Sequence, residues 1–167
     1  MIPTLQKKVC VLGSFSVGKT SLVRRYVESI FSDTYLTTVG VKIDKRVVDL
    51  ADRAVNLILW DVAGEDDMAS LRLSYLRGTA GYLLVADGTR PATLDVALTL
   101  RKRVEADYGP LPFALLVNKH DLTEQWAIRD ADLEGLRQEG WWVRSTSART
   151  GEGVEDAFKD LAVRVAR

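Results

Sequence analysis

Apolar positions along this chain follow two alternating rhythms. Short, mostly apolar runs at residues 8–12, 81–86, 113–117 and 141–144 read as buried strands, because each is too brief for a helix. Residues 42–50 and 54–60 are two further extended runs, joined only by Ala51, Asp52 and Arg53, which predicts an antiparallel hairpin. Between the runs the apolar spacing lengthens to three and four. That period predicts helices at residues 19–29, 92–107, 130–139 and 154–165. In the last, Val154, Ala157, Phe158, Leu161 and Val165 fall on one face.

Alternating strands and helices imply an α/β fold, with a mostly parallel sheet covered on both sides. In such sheets ligands bind beyond the carboxyl ends of the strands, so the loops after each strand are the places to look.

Composition narrows the picture. The 167 residues suit one domain, residues 1–167, and show no repeat or linker. Lys plus Arg number 23 and Asp plus Glu 23, so no net charge favours nucleic acid or anionic lipid. A single Cys excludes an internal disulfide, and a single His excludes a His-rich metal site. No signal-peptide core is visible, no apolar stretch is long enough to span a bilayer, and the stretch 161–167 holds no cysteine for prenylation. The expectation is a cytoplasmic monomer without a membrane anchor of its own.

The first of the post-strand loops carries the strongest signal. Gly13-Ser14-Phe15-Ser16-Val17-Gly18-Lys19-Thr20 fits G-x-x-x-x-G-K-[ST] between a predicted strand and a predicted helix. Backbone N–H groups must curl around phosphate there, so glycine is needed where a side chain would block the approach. Lys19 supplies charge for the β- and γ-phosphates, and the Thr20 hydroxyl can ligate Mg²⁺. After the next long run comes Asp61-Val62-Ala63-Gly64, where a carboxylate can hold Mg²⁺ and the Gly64 N–H can reach a γ-phosphate. Asn118-Lys119-His120-Asp121 ends the 113–117 run. A carboxylate at Asp121 accepts both the ring N–H and the exocyclic amine of guanine, a pair adenine does not present. Ser147-Ala148-Arg149 offers backbone to the guanine carbonyl.

Taken in order, these segments together with Thr38 resemble the Ras superfamily of small GTPases over essentially the whole chain. The resemblance implies a P-loop NTPase three-layer sandwich: a six-stranded sheet with one antiparallel strand and about five flanking helices. It implies GTP/GDP and Mg²⁺ as ligands. Phe31 and Lys119 would flank the guanine plane, and Asn118 would tie the base loop to the phosphate loop. Ser16, Val17, Gly18, Ser21 and Tyr35 would complete the nucleotide contacts, and Thr20, Thr38 and Asp61 would hold the metal. Thr38-Val39-Gly40-Val41 and Tyr75-Leu76-Arg77-Gly78 are most similar to Rab-type proteins, whose three surface apolar residues match Ile43, Trp60 and Tyr75. Those three either face partners or simply pack in the core.

The implied catalytic group is Glu65, Lys19 and Gly64, and one member departs from the family. Glu65 stands where the family has a water-orienting glutamine, and an ionised carboxylate accepts hydrogen bonds but donates none. With Asp66 and Asp67 it also brings negative charge toward the γ-phosphate, so intrinsic hydrolysis is expected to be slow. Phe15 replaces the usual small residue and either obstructs a partner's arginine finger or packs on the second switch with no catalytic effect. The leading reading is therefore a GTP/GDP switch, with protein effectors, an exchange factor and an activating protein as partners. A GTP-locked scaffold and a GTPase module of a larger protein are the alternatives. His120 is expected to face solvent, and Cys10 to be buried and inert. Of Trp141 and Trp142, one is expected to point inward and one outward.

Overall fold

The computed structural model describes residues 3–14, 16–27, 35–36, 41–62 and 73–167. Seven strands form one sheet: β1 (Thr4–Gly13), β2 (Tyr35–Leu36), β3 (Lys42–Asp49), β4 (Ala54–Asp61), β5 (Gly81–Asp87), β6 (Phe113–Asn118) and β7 (Val143–Ser145). Their order across the sheet is β2-β3-β4-β1-β5-β6-β7. The pairs β4–β1, β1–β5, β5–β6 and β6–β7 are parallel, and β3 runs antiparallel to β4. Six substantial strands with one antiparallel member is the expected sheet. The extra strand, β2, pairs only Tyr35 with Ile43 and Leu36 with Lys42. Two residues are too few to leave any periodicity in a sequence.

Four α-helices lie among the described residues, against about five expected: α1 (Lys19–Val27), α2 (Pro91–Tyr108), α3 (Asp130–Gln138) and α4 (Val154–Val165). A short 3-10 helix at Leu73–Leu76 precedes β5. The ends of α2 are written locally. Pro91 enters at the start, where a missing N–H costs nothing, and Gly109 leaves it at φ 77°, its N–H bonded to the Glu105 carbonyl. The strand expected at 141–144 begins two residues later, because the Trp141 N–H donates to the Leu136 carbonyl at the end of α3 (3.0 Å) rather than to the sheet. Trp142 is largely exposed while Trp141 packs inward, so one of the pair points each way although both precede the strand.

The continuous apolar runs are explained by burial of both sheet faces. Val9 and Val11 of β1 point to one side, where Leu22, Val23 and Tyr26 of α1 meet Phe158 and Leu161 of α4. Cys10 and Leu12 point to the other, against Leu94, Ala97, Leu100 and Val104 of α2 and Leu133 of α3. Tyr26 and Phe158 stack with centroids 4.0 Å apart and planes within 7°. The chain leaves β1 through α1 toward β2, β3 and β4 on one side, whereas β5 continues through α2 to β6 on the other, so the sheet order reverses between β1 and β5 at the carboxyl end. A crevice opens there, and the Gly13–Thr20 loop sits at it.

Candidate functional site

Four segments converge at that crevice. The phosphate loop joins β1 to α1, with Ser16 in a left-handed conformation (φ 60°) and Gly18 at φ 102°. A Cβ on Gly18 would stand 2.2 Å from the Asn118 side-chain nitrogen, so glycine is required here by both conformation and space. The Lys19 ammonium donates to the Gly13 and Ser14 carbonyls, each at 2.9 Å. Lys19 is nearly fully buried, and burial pushes its pKa down to about 8 although Asp61 pulls it back up.

The second element is the end of β4. Thr20 Oγ1 donates to Asp61 Oδ2 at 2.5 Å. Asp61 Oδ1 is buried and has no hydrogen-bond partner, and burial raises the carboxyl above its ordinary value against the pull of Thr20, Lys19 and Lys42. A hydroxyl beside a carboxylate oxygen with unused lone pairs is a donor set for a hard, oxygen-seeking cation. Among the described residues no cluster of three or more His, Cys, Asp or Glu side chains competes for a metal. Mg²⁺ needs no such cluster, because it is held by one or two protein oxygens together with phosphates. The residues present fit the ion.

The third element is the pair of loops after β6 and β7. Asn118, almost entirely buried, is their node. Its Nδ2 donates to the Val17 carbonyl of the phosphate loop (3.0 Å). Its Oδ1 accepts from Thr146 Oγ1 and from the Ala148 N–H, both at 3.2 Å. Asn118 thus joins the loop after β6 to the loop after β1. Lys119, at φ 71°, donates to the Ser16 carbonyl at 2.9 Å. Ser147 Oγ donates to Asp121 Oδ1 (2.7 Å) and so fixes one face of that carboxylate. Gly18, Ser21, Asn118, Lys119, Asp121, Ala148 and Arg149 line an open cavity of about 500 Å³. That volume lies within the range of small-ligand sites.

Phe15, Phe31, Thr38, Gly64, Glu65, Asp66 and Asp67 lie outside the described residues, and Tyr35 is placed only as the strand partner of Ile43. Ile43 and Trp60 face each other directly across β3 and β4. With Tyr75 they are half-buried, so the three are neither full core nor fully exposed. Trp60 and Tyr75 rest on the α2 side of the core, and the Lys8 ammonium sits 3.7 Å above the Trp60 ring.

His120 is partly exposed, as expected, and pairs with Glu152 (2.8 Å). Cys10 is buried, and burial raises its thiol above the usual range. Sequence reasoning missed Asp87, Thr146 and Glu152. Only Asp87 left a signal, as a lone acid closing an otherwise apolar strand.

The Ras family model matches residues 8–167. Ras-related protein Rab-4 of Dictyostelium discoideum is 37% identical over 158 residues, covering 93% of this chain and 77% of that protein. Ras-related protein RABA1c of Arabidopsis thaliana is 31% identical, over 95% of this chain and 74% of its own length. Ras-related protein Rab-13 of Bos taurus is 30% identical, with 93% and 77% covered. A mostly parallel sheet with a Gly-rich loop at its reversal, tied by Asn118 to the loop after β6, agrees with these matches: the chain belongs to the Ras family of small GTPases and is Rab-like.

Proposed function

We propose that residues 1–167 form one G domain that binds GTP and GDP with Mg²⁺, hydrolyses GTP slowly, and engages partners in the GTP state. The observation that carries this reading is the Asp121 carboxylate at the cavity, held on one oxygen by Ser147 and backed by the Asn118 bridge. A carboxylate so placed takes the two N–H groups of guanine. Adenine, lacking that pair, would leave a desolvated charge unpaired.

In this reading the phosphate-loop amides of Gly13, Ser16, Val17 and Gly18 surround the phosphates, and Ser21 borders the base cavity. Lys119 and Phe31 flank the base, Ala148 and Arg149 close its edge, and Tyr35 lies near the phosphates. Thr20 and Asp61, joined by Thr38, would hold Mg²⁺, which supplies charge neutralisation on the β- and γ-phosphates. Lys19 leaves the two loop carbonyls for those oxygens. Gly64 gives its N–H to the γ-phosphate, and Glu65 faces the attacking water. Glu65 supports slow hydrolysis because it cannot donate a hydrogen bond while ionised and adds like charge at the reacting group.

Ordering of the segments around Thr38 and Gly64 by the γ-phosphate would present the β3–β4 hairpin face, with Ile43, Trp60 and Tyr75, to effector proteins. Half-burial of all three favours this use, since each keeps accessible apolar surface over a fixed base. A nucleotide exchange factor and an activating protein are the regulators such a cycle requires. We read the protein as a cytoplasmic monomer. No helix among the described residues is long and apolar enough to cross a membrane.

The nucleotide that copurifies, identified by chromatography, separates the readings. GDP is expected of a slowly cycling enzyme. GTP alone would favour the GTP-locked scaffold suggested by Glu65 and Phe15, and neither would refute the assignment. Asp121→Asn should shift preference from guanine to xanthine nucleotide, by exchanging an acceptor for a donor. In single-turnover assays of preloaded GTP, Glu65→Gln should hydrolyse faster than the unsubstituted protein. An equal or slower rate would remove the case for Glu65 as the brake.

A further inference from the structure

Asp87 is a wholly buried carboxylate at the carboxyl end of β5, and none of the roles above uses it. Its Oδ1 accepts from the Thr89 N–H at 2.8 Å and from the Thr89 hydroxyl at 2.7 Å. Its Oδ2 stands 2.9 Å from the Lys119 ammonium and 3.9 Å from an Arg90 nitrogen. The same ammonium donates to the Ser16 carbonyl. One charge therefore joins three loops: those after β5, after β6 and after β1.

We propose that Asp87 is a positioning residue for the nucleotide: it clips the tip of Lys119 so that the lysine stem is held along the base cavity. The inference rests on the guanine-nucleotide reading given above.

The surroundings leave the clip little freedom. The Asp87 N–H donates to Thr93 Oγ1 (2.8 Å), and the Gly88 N–H to the Asn118 carbonyl (2.9 Å). Gly88 in turn accepts from the Ala127 and Ile128 N–H groups. The Trp126 ring covers it so closely that a Cβ would lie 1.9 Å from the indole. The carboxylate thus sits on a rigid platform, while Lys119 is a long side chain with four rotatable bonds. Fixing such a chain at its tip removes rotamer entropy before the ligand arrives, which is the usual physical route to slow dissociation.

Both loops that the ammonium ties carry a non-glycine residue in the left-handed region, Lys119 and Ser16. That conformation is disfavoured and persists only where surrounding contacts enforce it. Burial alone would raise the Asp87 carboxyl, but the Thr89 and Lys119 contacts outweigh it and hold the group below its ordinary value, so it is charged at neutral pH. A neutral loop cap would satisfy Thr89 equally well. The Oδ2 charge 2.9 Å from the Lys119 ammonium, an ion pair with no other hydrogen-bond partner on that oxygen, is what a cap alone does not require.

The test is a double-mutant cycle read by dissociation of fluorescent GDP from the full chain: unsubstituted protein, Asp87→Asn, Lys119→Met and both together. Asp87→Asn is expected to speed dissociation about tenfold, since it removes the buried partner of a charge pair whose lysine is part-exposed. In the Lys119→Met background, where the ammonium is gone but the apolar stem remains, Asp87→Asn should do nothing or slow release, because it relieves a stranded carboxylate. An equal factor in both backgrounds would overturn the proposal and leave Asp87 as a loop cap. Should Asp87→Asn fail to fold, Thr89→Ala loosens the same carboxylate, and its effect must likewise vanish with Lys119→Met. Failure of the unsubstituted protein to bind GDP would refute the guanine reading and this inference with it. Binding with additive effects would refute the inference alone.

Discussion

Asn118→Ala is the sharpest single perturbation of the site. The side chain makes three hydrogen bonds, one to Val17 and two from the β7–α4 segment at Thr146 and Ala148. A typical buried hydrogen bond contributes about 1 kcal/mol, so their joint loss is worth about 3 kcal/mol before any repacking. For a domain of this size that loss lowers the melting temperature by about 6–12 °C.

The same loss bears on ligand release, because the Val17 bond is what joins the base side of the cavity to the phosphate side. If the whole of it is expressed there, GDP dissociation accelerates by about 100-fold, and the Val17 bond alone would give about fivefold. The assay pairs urea unfolding of the nucleotide-free protein with stopped-flow release of fluorescent GDP. Both quantities should change together. Loss of stability with an unchanged release rate would refute the argument, since it would show that the bridge supports the fold without transmitting to the ligand. Asn118→Asp sharpens the result. It keeps an acceptor for Thr146 and Ala148 but turns a carboxylate oxygen on the Val17 carbonyl, so release should still accelerate.

Three other outcomes follow from particular residues. Lys19 has a pKa of about 8 in the free protein, lowered from 10.5 by burial, and phosphate must raise it. GDP binding should therefore take up about half a proton at pH 8 and about a tenth at pH 7, seen by calorimetry in buffers of different ionisation enthalpy, and affinity should fall as pH rises through 8. Buffer-independent heat at pH 8 would contradict this. Gly18→Ala puts a Cβ into Asn118 at a φ of 102° and should cost more than about 1 kcal/mol, with nucleotide lost on purification. Phe158→Ala empties half of the Tyr26 stack and should cost about 3–5 kcal/mol in urea with an unchanged m-value, leaving GDP release nearly unaltered where the protein is folded.

The pH dependence of Lys19 and the clip at Asp87 describe a site prepared by opposed charges inside a chain that has none overall. Lys19 is destabilised by its burial and gains from phosphate. Asp87 and Lys119 form an ion pair at 2.9 Å, and in the proposed reading the base would meet a side chain already placed. The two lysines of the site thus serve by opposite means, one by unmet need and one by prior satisfaction.

Local chemistry in the sequence determined most of the fold. Both-sides burial writes parallel strands as unbroken apolar runs, so β1, β5 and β6 were legible, and the 3.6-residue period marked α2, α3 and α4. The phosphate loop was legible because glycine and lysine are demanded there by backbone approach and charge, which are local needs. The start of β7 was not legible, since it depends on where α3 takes the Trp141 N–H. Nor was β2, whose two residues gain strand form only by pairing with β3.

The distribution of roles within the site was decided only in three dimensions. That Asn118 reaches Val17, that Thr146 and Ala148 share its oxygen, and that Asp87 meets Lys119 are contacts between residues 28 to 101 positions apart, or between neighbouring parallel strands. Sequence records which groups can donate and accept. Only the sheet order, which stacks the ends of β1, β5, β6 and β7 at one edge, brings those groups to 2.9–3.2 Å of one another.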